Sequence, residues 1–238
     1  MRRNAVAYWD KMGKARDVET RDAILSGFRS ERAFDEAGKE DASHLILPFI
    51  TPRERVLDVG CGIGRLLKWV APHCLRIYGL DVSRAMLAKA RRRCRSLRNV
   101  SLRRLATSLR FPIGDRTIDF AYLYHVSEHM EREDLLTILR EVRRVLRPKG
   151  RALVQFSLLE HADNQREFRK WAAEGDPEGV RSRFYTEAEA ALMLELARLY
   201  PQIRLFIPGE YAVVAVRSDD RPLGAMPLVK LRSAGTPR

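Results

Sequence analysis

The residues of this chain whose types and spacing could do chemistry begin at a glycine turn. Val56 to Leu67 read VLDVGCGIGRLL: an apolar run, glycines at 60, 62 and 64, then a second apolar run. That pattern predicts a strand, a tight turn and a helix, with something lying against the backbone of the turn. The amides of Gly60 to Gly64 then point at a ligand from a helix N-terminus, where a carboxylate or other polar group is favoured. A dinucleotide fingerprint needs its third glycine one place later, where Arg65 stands, and a bulky residue there disfavours close packing around a pyrophosphate. Asp81, in GLDVS, ends the next strand-like run. A carboxylate at that end accepts bonds from both hydroxyls of a ribose, because the ligand crevice of a doubly wound sheet lies beyond the strand ends. The competing role for Asp81 is to cap the following helix, for which Ser83 is the better-placed residue. Turn and acid together read as a nucleoside site.

Other chemistries find less support. Cys61, Cys74 and Cys94 form no C-x-x-C pair, so neither a disulfide framework, a zinc site nor an iron–sulfur cluster is suggested, and no metal is expected. Cys61 reads as a small residue that fits the turn. No apolar run approaches the ~20 residues of a membrane span, and no apolar signal segment follows Met1-Arg2-Arg3, so a cytoplasmic protein is expected. The net charge is +13, and Lys89, Arg91, Arg92, Arg93, Arg95 and Arg98 crowd one short segment. Such a run can draw phosphate backbones or an acidic substrate, or can simply be a solvated face.

The elements that must position these residues alternate. With 238 residues, 45% of them hydrophobic, one α/β domain with additions fills the chain. Strands are expected at residues 55–59, 76–80, 100–104, 118–124, 152–156, 203–207 and 212–216. Helices are expected at 64–71, 83–95, 132–146 and 186–200, the last capped by Thr186 with Glu189 three residues on. The alternation predicts a doubly wound, mostly parallel, seven-stranded sheet with helices on both faces. Only Pro208-Gly209-Glu210 separate the last two strands, too few for a crossover, so these two form an antiparallel hairpin. Residues 1–43 form a charged helical N-terminal segment with Tyr8 and Trp9 as apolar anchors. Residues 158–183, with Phe168 and Trp171, lie between the fifth strand and the final helix, and both segments are candidate lids. The domain proper spans 44–217, and residues 218–238 form a flexible tail.

VLDVGCGIG, GLDVS and LREVRRVLRPKG together resemble the successive motifs of class I S-adenosylmethionine-dependent methyltransferases, in particular the small-molecule-type, ubiquinone-biosynthesis-like group. The likeness covers roughly residues 56–156. It implies a Rossmann-like sheet with S-adenosyl-L-methionine across the strand ends: Asp58, Gly60, Cys61, Gly62 and Gly64 at the methionine part, Asp81 at the ribose, Val82 and Met86 at the adenine. Relatives often carry an acid after the third strand that meets the adenine amino group. Leu105 stands at that place here, which leaves adenine contact to Ala106 and Thr107. In DFAYLYHVSEHM, His129 matches a histidine common in relatives beside the transferable methyl, and Tyr124 and His125 lie nearer the strand end. An imidazole can take the proton of a hydroxyl or amine nucleophile, and either histidine can equally pack or cap the turn.

The resemblance supports three readings. The first is a methyltransferase acting on an O, N or C nucleophile of a small molecule, its acceptor enclosed by the two lids; residues 1–43 would then be needed for transfer but not for cofactor binding, and their removal would spare the fold. The second is an RNA methyltransferase using the basic surface. It lacks a recognisable RNA-binding module and the Asn/Asp-Pro-Pro-Tyr/Phe tetrapeptide at the fourth strand. The third, a non-catalytic cofactor-binding protein, rests on the missing third-strand acid. The first is preferred, with the nucleic-acid partner not favoured. No motif names the acceptor, because fold does not fix substrate.

Overall fold

The computed structural model describes residues 3–24, 30–175, 182–207, 209–218 and 228–229. The chain folds as two compact units, residues 2–112 and 113–238.

The first unit opens with three helices, α1 (Arg3–Lys14), α2 (Asp17–Ile24) and α3 (Glu31–Asp41), and a π-helical turn at Ala42–Ile46. Then come β1 (Arg55–Val59), α4 (Leu67–Val70), β2 (Arg76–Asp81), α5 (Arg84–Arg93) and β3 (Val100–Arg104). The strands pair in parallel in the order β3-β2-β1, with Val59 opposite Leu80 and Asp81 opposite Arg104. In parallel register both β1 and β2 end at the same edge, which puts the glycine turn beside Asp81. The helix expected at 64–71 is a single turn, because residues 61–66 are spent on the loop itself. Ser83 caps α5 by accepting from the Met86 amide, as its position predicts.

The N-terminal helices are helical as expected, and they are built into this unit. Phe34 of α3 is fully buried in one cluster with Ile63 and Met86, against which Trp9, Met12 and Ile24 pack. Their acids meet the basic residues of the motif helices. Lys89 is buried and donates to Asp17, Thr20 and the Ala15 carbonyl at 2.6 to 2.8 Å. Arg93 pairs with Glu31 and Asp35, Lys68 with Asp35, and buried Arg65 with Asp41. Two members of the expected basic face, Lys89 and Arg93, therefore serve the protein's own interior.

The second unit contains β4 (Ile118–Leu123), α6 (Arg132–Val145), β5 (Leu146–Ser157), α7 (Ala162–Glu174), α8 (Glu187–Leu196), β6 (Leu199–Ile207), β7 (Glu210–Arg217) and β8 (Leu228–Val229). Its strand order is β4-β5-β7-β6-β8; β4 and β5 run parallel, and β7 runs antiparallel to both β5 and β6. The hairpin expected from the short β6–β7 connection is present, with Pro208 outside the described residues. α6 buries Leu135, Ile138, Leu139, Val142 and Val145 along one stripe, the 3.6-residue period of an amphipathic helix. Thr186 caps α8 by accepting from the Glu189 amide, but the helix stops at Leu196 because Arg198 is left-handed and Leu199 already starts β6. All seven expected strands are present, several of them longer than read. The tail adds a short eighth, Leu228–Val229, parallel to β6; residues 219–227 and 230–238 lie outside the described residues. Of the two candidate lids, residues 1–2, 25–29 and 176–181 also lie outside them.

Candidate functional site

The glycine turn is fixed from two sides. Gly60 and Cys61 both donate their amides to the Leu80 carbonyl, at 2.8 and 2.9 Å, which ties the loop to the end of β2. Gly60, Gly62 and Gly64 have φ of 79°, 51° and 81°, in the left-handed region. Gly64 also packs closely on α5: a Cβ there would lie 3.3 Å from Cys94 Sγ and 3.4 Å from Ala90 Cβ.

Asp81 joins both halves of this arrangement. Its Oδ2 accepts from the Gly62 amide at 2.9 Å and its Oδ1 from the Ser83 amide at 2.8 Å. The side chain thus ties the glycine turn to the start of α5, whose cap is Ser83, and stands as a buried carboxylate at the strand end. Burial raises its pKa to about 6, against the lowering pull of the Ser83, Gly62 and Val82 amides. Asp58 and Cys61 are buried beside the loop, and burial lifts the Cys61 thiol well above its usual value, so it stays protonated.

The other expected cofactor residues divide. Val82 is buried, and its carbonyl accepts from Arg104 Nε at 3.1 Å. Leu105, at the place of the usual acid, is buried and gives its amide to the Asp81 carbonyl at 2.8 Å, whereas Ala106 and Thr107 are exposed. Met86 is 1% exposed, its side chain in the cluster with Phe34 and Ile63. Asp10 was not singled out by sequence. Its Oδ1 accepts from the Ser83 hydroxyl at 3.1 Å and the Ala85 amide at 3.2 Å, so α1 clamps the turn that carries Asp81.

In the second unit Tyr124, His125 and His129 gather just after β4. The strand stops at Leu123; His125 takes a φ of 55°, and a 3₁₀ turn follows at Ser127–His129. Glu128, which sequence reasoning passed over, is the hub of this turn. Its Oε1 lies 3.2 Å from His125 Nδ1 and 3.9 Å from His129 Nε2, and its Oε2 accepts from Ser157 Oγ at 3.2 Å. Gln155 of β5 holds the neighbouring backbone: its Oε1 accepts from the His125 amide at 3.0 Å, and its carbonyl accepts from Ser127 Oγ. Tyr185 OH and the Arg183 amide donate to the Ser127 and Glu128 carbonyls. Burial pushes the Glu128 carboxyl up, but the His125 hydrogen bond, the charges of both histidines and the Ser157 hydroxyl outweigh it and hold the group well below the usual carboxylate range. Desolvation lowers His129, with Glu128 opposing. The only sequence signal for Glu128 is its i+3 spacing from His125.

Residues 56–150 match the family model described as a methyltransferase domain. Those residues form a methyltransferase domain. The chain is 33% identical over 105 residues to demethylmenaquinone methyltransferase of Tropheryma whipplei, a stretch covering 44% of this chain and 42% of that protein. It is 30% identical over 152 residues to the O-methyltransferase rstn1 of Aspergillus nomiae, covering 63% of this chain and 60% of the relative. The chain thus spans under two thirds of the length of these curated relatives. Among solved structures, the PH0226 protein of Pyrococcus horikoshii superposes with a TM-score of 0.64 at 21% identity, over 81% of this methyltransferase-domain chain and 94% of that one. Class I methyltransferases use S-adenosylmethionine, and the fit of this chain to that group is local. A left-handed glycine turn presents a Cβ-free surface, a buried carboxylate stands at the end of β2, and Arg65, bound to Asp41, occupies the place where a dinucleotide-binding turn has glycine. No described helix is long and apolar enough to cross a membrane.

Proposed function

We propose that this protein is a small-molecule methyltransferase whose glycine turn and Asp81 hold S-adenosylmethionine. The observation that carries the reading is the Gly62–Asp81 bond: a left-handed glycine turn locked to a buried carboxylate at the ends of adjacent parallel strands. The amides of Gly60, Cys61, Gly62 and Gly64 are bonded within the protein, so the turn would meet the methionine part with its Cβ-free surface beside Asp58, Asp81 would meet the ribose hydroxyls, and Val82 with Ala106 and Thr107 the adenine. S-adenosylmethionine supplies, when bound, a methyl group already activated on a sulfonium, so the protein's work is to position the acceptor, exclude water and remove a proton where the acceptor carries one.

Two segments supply enclosure. Residues 158–183 include α7, none of whose residues is buried; its Phe168 and Trp171 lie on one face, and Trp171 stacks on Phe184 at 5.1 Å. We assign this aromatic face to the acceptor, which favours a planar or apolar molecule. From the N-terminal helices, Ile24 of α2 lies near the glycine turn: its Cδ1 would lie 3.8 Å from a Cβ at Gly62.

Calorimetry with S-adenosylmethionine, S-adenosylhomocysteine and NAD tests the reading. Micromolar binding of the first two and none of the third is expected, followed by methyl transfer to members of a phenol, enol and amine panel. Tight NAD binding with no affinity for the sulfonium ligand refutes it.

A further inference from the structure

We propose that the exposed side of α5, with the cavity between α5 and the joint of α1 and α2, is a docking surface for the phosphodiester backbone of a nucleic acid, held without regard to base sequence. The surface lies wholly within the first unit. It anchors the protein and supplies no methyl acceptor, so it goes beyond the function proposed above.

Arg84 to Arg98 read RAMLAKARRRCRSLR, seven cations and no acid. The structure divides these cations into two sets. Lys89 and Arg93 turn inward onto Asp17, Glu31 and Asp35. Arg84, Arg91, Arg92, Arg95 and Arg98 are exposed, and none of the five has a hydrogen bond or ion pair among the described residues. Ser96 is the one other exposed residue of the stretch. Arg84, Ala88, Arg91 and Arg95 recur at i, i+4, i+7 and i+11, which puts these guanidinium groups on one side of α5 and the turn after it, opposite buried Met86, Leu87 and Ala90. The acids of the helices beside them are already engaged: Asp10 with Lys14, Asp17 with Lys89, Asp35 with Lys68 and Arg93, and Asp41 with Arg65.

At the Arg92 end the stripe meets a cavity of about 500 Å³. Gly13, Ala85 and Ala88 are too short to fill it, and Lys14, Arg16 and Arg92 stand around it. The acid among its lining residues, Asp17, holds Lys89 at 2.6 Å and also feels the charge of Arg92. Lys14 and Arg16 are 72% and 82% exposed and pair with Asp10 and Glu19 close by in sequence, surface pairs that an entering phosphate displaces at little cost.

The chemistry of the patch selects the partner. Guanidinium groups take phosphate oxygens two at a time. A lipid surface would need large apolar side chains among the cations, and a folded protein partner an apolar centre, whereas the exposed residues of this stretch are arginines and one serine. A chain of phosphates needs only the cations. With no aromatic side chain in the stretch for bases to stack on, the contacts position the strand and do not read it.

The test is fluorescence anisotropy of the full chain with labelled single-stranded RNA and DNA of one mixed sequence, over a salt series. Both strands should bind, with log Kd rising against log salt at a slope of about 3 to 4, since each phosphate neutralised on a single strand contributes roughly 0.7. The triple variant Arg91→Gln/Arg92→Gln/Arg95→Gln should bind at least about tenfold more weakly at low salt, with the slope lower by about 2. Arg53→Gln/Arg110→Gln/Arg140→Gln removes the same charge from exposed arginines on other elements and should change both far less. On the wild type itself, ultraviolet cross-links to uridine-rich RNA should fall within residues 84–98 and 14–16, which tests the surface without any variant. Absence of binding at low salt overturns the proposal, as do equal losses in the two triple variants, cross-links confined to other segments, or tighter binding to polyglutamate or to phosphatidylserine vesicles than to RNA. Failure of the methyltransferase reading shows separately, as absence of S-adenosylmethionine binding in a protein whose RNA measurements are as stated.

Discussion

Replacing Gly13 with alanine should loosen the N-terminal helices from the unit that carries the glycine turn. In an isolated helix the change gains roughly 0.5–1 kcal/mol, because alanine loses less backbone freedom on folding. Here Gly13 sits where α1 crosses α5. A Cβ would stand 2.7 Å from Ala85 Cβ and from the Met86 amide nitrogen, and 2.9 Å from the Ala85 carbonyl carbon. Two of those three atoms are backbone and cannot swing aside, so the helices must part by about 1 Å, and overpacking of this kind costs about 1–3 kcal/mol. Parting also breaks the Asp10 contacts to the Ser83 hydroxyl and the Ala85 amide, already 3.1 and 3.2 Å long, for about 1 kcal/mol more. The cost exceeds the gain by roughly 1–3 kcal/mol. For a protein of this size that lowers the thermal midpoint by about 3–10 °C, measured by circular dichroism. Adding Ala85→Gly should recover only part of the loss, since the Met86 amide stays in the way. A midpoint equal to or above that of the wild type refutes the packing argument.

Further outcomes follow from the same unit. The folded pKa of Asp81, about 6 against 3.8 unfolded, means that the folded state binds the proton more tightly between roughly pH 4 and 6. Stability of the ligand-free protein should therefore fall as pH rises through that window, by up to roughly 3 kcal/mol, and Asp81→Asn should abolish this slope in thermal melts. S-adenosylmethionine affinity should run the other way, weakening below about pH 6 as the carboxylate that accepts its ribose hydroxyls is protonated, with Asp81→Asn weak at every pH by calorimetry. Lys89→Met should cost about 2–4 kcal/mol in urea unfolding, because a buried cation with three acceptors is lost from the joint between α2 and α5. Deleting residues 1–43 should abolish cooperative unfolding, whereas a sheet that begins only at Arg55 suggested that their removal would spare the fold. It takes Phe34 from the cluster and strips Lys68, Lys89, Arg65 and Arg93 of carboxylates.

How much of this was legible in the sequence depends on how local the cause is. The glycine turn, the place of Asp81 at a strand end, and the caps at Ser83 and Thr186 are written within a few residues of where they stand, and the structure has the turn, the strand end and both caps where they were expected. The antiparallel hairpin follows from a connection too short to cross over. What was not legible are pairings between distant residues. Met86 reads as a residue near the adenine because of its motif, but its side chain is captured by Phe34, more than fifty residues away. The run at 89–98 reads either as a patch that draws phosphate or an acidic substrate or as a solvated face, because sequence does not tell an arginine in solvent from one, like Arg93, held by Glu31 and Asp35. Glu128 was invisible for another reason: its importance comes from two contacts, to His125 and Ser157, and only the first has a spacing that sequence can display.

The clamp of α1 on α5 also bears on the order in which this chain can fold as it is made. Asp10 and Asp17 find their partners 72 to 75 residues further on, and Asp35 meets Arg93 58 residues on. Helices α1 to α3 must therefore wait, without their packing surface, until α5 has left the ribosome, and closing those long loops has an entropic cost that grows only slowly with length. Their high polarity suits that interval, since a waiting segment with few apolar residues offers little for other nascent chains to stick to. Helices α1 to α3 would dock only once α5 has emerged, and a pause in translation ahead of residue 93 would prolong their exposure.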